Sequence, residues 1–248
     1  MTILSLYHRY SSHLLKQLAA IFFLTCVLPV LTVAQKKIAI LFVNKAGAET
    51  LQPGNSYMNA WGETFTVYKF KYYIHNIRFA DSVGQYVTVD KAHHLVDAAD
   101  ASSTVIQVNG LTGKRITSIR FTLGVDSVLN TTGVQTGVLD PLKGMFWTWN
   151  TGYIYAKLEG KSNISAMPGN IFSYDVGGYK TGESALREIT LPVTTDGNIT
   201  IVADILKWFD SRNKITIATN AVCHEPGNLA MQLADNYRNM FHTVPVNE

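Results

Sequence analysis

Apolar and polar positions alternate with a period of two along most of this chain, which predicts strands wherever the alternation holds for five residues or more. Lys37–Val43, Glu63–Ala80, Tyr86–Asp90, Ser103–Val108, Ile116–Val125, Gly152–Leu158, Leu186–Val193 and Asn198–Ala203 all read this way. In the long segment Glu63–Ala80, the residues Val67, Tyr73, Ile77 and Phe79 share one parity and are expected to face one side. Glycine-bearing pairs punctuate the runs: Val83-Gly84, Asn109-Gly110, Thr112-Gly113 and Asp196-Gly197. The last, with ITLPV before it and ITIVA after it, predicts a hairpin.

Two stretches carry a helical period instead. Asp204–Phe209 reads as a short helix with Asp204 as its cap and Ile205, Trp208 and Phe209 turned to the core. Pro226 to Phe241 places Leu229, Leu233, Tyr237, Met240 and Phe241 on one face, with Pro226 suited to the first turn. Many short strands with turn signals between them, and no βαβ alternation, predict an all-β fold: an antiparallel β-sandwich with a short C-terminal helix. Repeats, low-complexity tracts and linkers are missing from the sequence, so residues 35–248 read as one domain.

The first thirty-four residues belong to a different class. Arg9 and Lys16 precede a sixteen-residue apolar run, Leu18 to Val33, and Thr32-Val33-Ala34 offers a small residue before Gln35. That order is a secretory signal peptide, and the run is shorter than the roughly 20 residues a spanning helix needs. A secreted or periplasmic protein with no membrane span after cleavage is the expectation. The leader holds two of the chain's three net positive charges, so the mature part carries +1. With no lysine or arginine run left, nucleic acid is excluded as a partner. Of two cysteines only Cys223 lies beyond the leader, so no internal disulfide is expected and the core must supply the stability.

Signatures of catalysis are absent: the sequence has no GxSxG, HExxH, P-loop or CxxC, and no enzyme is expected. Metal-binding residue types are better represented. His75, His93, His94, His224 and His242 follow the leader. Adjacent His93 and His94 would face opposite ways on a strand, so at most one can join a site there. Cys223-His224-Glu225 is the densest group of soft donors, suited to copper or zinc, and it precedes the predicted helix, whose positive end would lower a thiol pKa. A small buried cysteine and hydrogen-bonded surface histidines are the plain structural alternatives.

The segment Gly124–Gly160, GVDSVLNTTGVQTGVLDPLKGMFWTWNTGYIYAKLEG, sets Trp147 and Trp149 one residue apart between a glycine-studded loop and a strand. Together with Tyr57–Phe79 and the late LADNYRNMF it resembles the MbnP-like family, secreted bacterial proteins related to the copper-binding proteins of methanotrophs. The resemblance implies copper held by histidines and an oxidised tryptophan, made by a haem-containing maturation partner; Trp147 or Trp149 would be its counterpart. Relatives carry histidines where this chain reads Asn130-Thr131 and Tyr174-Asp175-Val176-Gly177, so those donors are replaced here. The expected ligand set is therefore His75, Asp175, Cys223, His224 and Trp149. Copper is the expected ion, with zinc as an alternative and calcium suited to the harder Asp175. The rival reading is a structural or surface interaction protein whose metal site has been lost.

Overall fold

In the computed structural model, residues 36–244 are described apart from 112, 113, 150, 151 and 196. The predicted leader lies outside the described residues. The strands in chain order are β1 (Lys37–Ala46), β2 (Glu49–Thr50), β3 (Ser56–Met58), β4 (Thr64–Ala80), β5 (Tyr86–Asp90), β6 (His94–Asp97) and β7 (Val105–Asn109). They continue with β8 (Ile116–Leu123), β9 (Ile154–Lys161), β10 (Ile171–Gly177), β11 (Arg187–Thr195), β12 (Ile199–Asp204), β13 (Val222–Cys223) and β14 (Phe241–Thr243). Among the described residues, one α-helix, α1 (Asn228–Tyr237), falls between β13 and β14.

Strict alternation in β1 buries Ile38, Ile40, Phe42, Asn44 and Ala46 on one face. β1 lies inside a sheet ordered β14-β12-β1-β2, with β7 also paired to β1. The second sheet runs β11-β8-β4-β9-β10-β13, and β3, β5 and β6 pair with the long β4. Phe42 of the first sheet meets Tyr72 and Phe121 of the second edge to face, at 6.1 and 5.9 Å between ring centroids. These rings fill the space between two stacked sheets, and the fold is a β-sandwich with one short C-terminal helix. Pairing is mostly antiparallel, but β1–β12 and β10–β13 are parallel.

Three local expectations are corrected. The residues flanking Asp196-Gly197 do not form a hairpin: β11 pairs with β8 in one sheet and β12 with β1 and β14 in the other. The turn signal there marks a crossing between sheets. The run Ile171–Gly177, not among the expected strands, is a full strand, β10, and its Phe172, Tyr174 and Val176 alternate with Ser173 and Asp175. The C-terminal helix is shorter than its apolar spacing implied: Pro226 precedes it, Gly227 is its N-cap, and Phe241 belongs to β14.

β4 does not keep one parity. Its register shifts between Val67 and Lys69 and again between His75 and Arg78. Phe65 and Val67 are buried before the first shift, Phe70, Tyr72 and Ile74 after it, and Ile77 and Phe79 beyond the second. Asn76 at the second shift has φ +53°, a left-handed conformation that asparagine tolerates better than most residues. Tyr73 and His75 therefore lie on the face away from Tyr72, under the loop that follows β8; the Tyr73 hydroxyl donates to Val138 O at 2.9 Å. Bulges re-aim side chains, and this one directs His75.

Candidate metal centre

Three side chains from separate segments meet above the second bulge of β4. His75 comes from β4, His93 from the link between β5 and β6, and Asp126 from the turn after β8. One donor atom of each lies within 4.8 Å of the other two. His75 Nε2 stands 3.1 Å from Asp126 Oδ1, and His93 Nε2 stands 3.8 Å from Asp126 Oδ2. The two imidazoles are stacked, with centroids 4.6 Å apart and planes 23° apart. The His75 side chain is buried and that of His93 is 10% exposed, whereas the Asp126 side chain is 58% exposed, so the group has an inner wall and an open side.

Backbone geometry holds each member in place. Asp90 ends β5 and its Oδ1 accepts from Ala92 N at 2.8 Å, closing the turn that carries His93. Its other oxygen pairs with His94 Nε2 at 2.7 Å, so the two neighbouring histidines part, one to the site and one to Asp90. Asp126 is fixed by Asn130, which is fully buried. Asn130 Nδ2 donates to Asp126 O at 2.9 Å and to the Tyr155 hydroxyl at 3.1 Å, and its Oδ1 accepts from Tyr153 N at 2.8 Å. Gly124 has φ +126°, and a Cβ there would sit 2.8 Å from the Tyr155 ring, so only glycine brings this backbone so close.

The Gly124 carbonyl, 3.2 Å from His75 Nδ1, can only accept, so Nδ1 carries the proton and Nε2 of the neutral ring presents its lone pair to Asp126. Burial pushes the His75 pKa down to about 4, reinforced by His93 and His94 and opposed by Asp126. His93 is lowered for the same first reason, and its buried Nε2 has no hydrogen-bond partner. Neutral imidazole with its second nitrogen tied to a carbonyl is the arrangement that metal-binding histidines adopt. Two ligands about 2.0–2.1 Å from a tetrahedral ion stand roughly 3.3–3.4 Å apart, a spacing that the 3.1 and 3.8 Å separations bracket.

The other expected ligands gather elsewhere. Cys223 on β13 is three strand spacings across the sheet from β4, roughly 14 Å, and Asp175 on β10 is two, roughly 10 Å. Asp175 is held by Lys157 at 2.8 Å, in a charged row continued by Lys157–Glu159 and Glu159–Lys69 at 2.8 Å each. His224 Nε2 bonds Ser173 Oγ at 2.8 Å. The Cys223 thiol is pushed up to about 12 by burial, not lowered, because the helix begins five residues later and its dipole fades beyond the first turn. Trp149 is 63% exposed beside Cys223 and His224 at a pocket of about 270 Å³. Its neighbour Trp147 is buried, with its ring 2.8 Å from where a Gly177 Cβ would sit. The indoles still touch, centroids 6.0 Å apart. Of the expected ligands, only His75 stands in the cluster; His93 and Asp126 are the partners that sequence reasoning did not assign to it.

A β-sandwich carrying a two-histidine, one-carboxylate cluster is the class defined so far. A family model for MbnP matches residues 35–225, and the chain belongs to the MbnP family. A comparison with curated proteins finds no match. Among solved structures, MbnP from Methylosinus trichosporium is similar at 15% identity over 79% of this chain and 84% of that one, with a TM-score of 0.49. Among the described residues, no helix is long and apolar enough to cross a membrane.

Proposed function

We propose that this protein is an exported, non-catalytic MbnP-family domain that binds a transition-metal ion, copper in the first place, through His75, His93 and Asp126. One observation carries the reading: the Nε2 atoms of His75 and His93 stand 3.1 and 3.8 Å from the two oxygens of the Asp126 carboxylate. Imidazole nitrogen with one carboxylate suits copper(II) and zinc, whereas calcium takes an all-oxygen shell. Export rests on the leader's order of charge, apolar run and small residue. Trp149 is the indole that an outside enzyme can reach, but it stands beside Cys223 and His224, so its oxidation by a haem-containing partner would be a separate event that supplies no ligand to this cluster.

Isothermal titration of the mature protein with copper(II) and zinc tests it. One equivalent should bind, His75→Ala and His93→Ala should abolish binding, and His224→Ala should leave it. Loss with His224→Ala alone would move the site to the Trp149 pocket. No stoichiometric binding would leave the structural interaction protein as the reading.

A further inference from the structure

We infer that a metal ion held by His75, His93 and Asp126 keeps a coordination position open to solvent, and that a small monodentate anion binds there directly to the metal. The inference rests on the metal reading above and extends it from the ion to what the ion can hold.

The donor count comes first. Among the described residues the cluster contains three histidine, cysteine or acidic groups and no fourth. Zinc or copper(II) takes at least four ligands, and a site with three protein ligands completes its shell with water or an exogenous molecule. The nearest polar groups are committed elsewhere: His94 to Asp90, Asn130 to Tyr153 and Tyr155, and the Gly124 carbonyl to His75 Nδ1.

Access comes second. The two rings are 4% and 10% exposed at their side chains and wall the cluster from within, while Asp126 is 58% exposed. The remaining position therefore points past Asp126 to solvent, not into the sandwich. Charge comes third: a divalent ion with one carboxylate and two neutral imidazoles leaves a net charge of about +1 at the site, which favours a monoanion over a neutral molecule.

Azide is a suitable probe, because its coordination to copper(II) produces a ligand-to-metal absorption band and alters the electron paramagnetic resonance spectrum. The mature protein loaded with one equivalent of copper(II) would be titrated with azide, alongside His75→Ala, Asp126→Asn and His224→Ala. The expected result is a saturable new band at one azide per copper, retained in His224→Ala and lost with the copper in His75→Ala. Because His75 is buried and its variant can misfold, Asp126→Asn on the exposed turn serves as the second variant; it should weaken copper binding at least tenfold while circular dichroism stays unchanged. Copper bound at one equivalent and lost in Asp126→Asn, yet insensitive to azide, would overturn the open position and leave the metal reading intact. An azide band that survives Asp126→Asn and disappears in His224→Ala would overturn both.

Discussion

His75 and His93 lie ring on ring, 4.6 Å between centroids, although one sits inside a long strand and the other in a turn eighteen residues later. Neither ring readily accepts a proton there: both are lowered from the usual histidine value, His75 to about 4.

That lowering makes the metal-free protein acid-sensitive. Between pH 6.5 and about 4 the unfolded chain binds protons on these histidines that the folded chain does not, so stability falls as pH drops through that window. His94 disfavours the charged rings and Asp126 favours them, and burial decides the sign. Urea midpoints from pH 7 to pH 5 should decline, and His75→Gln should flatten the decline. An unchanged slope in that variant would count against neutral burial of His75.

The tryptophan pair should divide by position. Trp147→Ala removes a buried indole packed over Gly177 and should cost roughly 3–5 kcal/mol. Trp149→Ala alters a largely exposed ring and should cost under about 1 kcal/mol. Chemical denaturation of the two variants checks the contrast, and equal losses would contradict it.

Asn130 should couple stability to metal affinity. Asn130→Ala leaves the buried Tyr153 N–H without its partner, at about 1–3 kcal/mol, and releases the Asp126 carbonyl. The same change frees the turn that presents Asp126, so copper(II) affinity should fall although no ligand is altered. Titration of a variant that remains folded measures this; unchanged affinity would show that the turn holds itself.

Cys223 should be unreactive in the folded protein. With the thiol pushed up to about 12 and buried, iodoacetamide at pH 8 should label it only after denaturation. Rapid labelling under native conditions would mean that β13 opens.

Much of the sandwich was legible because a one-sided strand writes its burial as alternation, as β1 does in Lys37–Ala46. β10 was legible by the same rule, in the alternation Phe172-Ser173-Tyr174-Asp175-Val176, although it is not among the expected strands. The parity of β4 failed at its two bulges: a one-residue register shift leaves no mark in composition, and only the asparagine at position 76 hints at one. The candidate site was half legible for the same reason. His75 stands out as a donor in a strand, but strand alternation misplaces His93, which occupies a turn, and Asp126 has the pattern of an ordinary turn carboxylate. The soft donors adjacent in sequence, Cys223 and His224, lie apart from this cluster, the thiol buried and the imidazole bonded to Ser173.

The parallel pairing of β1 with β12 constrains when this protein can fold. Ile40 sits beside Ile199, so the first strand finds its neighbour only after about 160 further residues are present. Contacts this distant in sequence slow folding, because the intervening chain must be closed before the pairing rewards it. Until then β1 is paired with β2 and β7 only, and the edge that β12 takes is open. A growing chain would thus hold an unfinished first sheet until β12 is present to pair with β1.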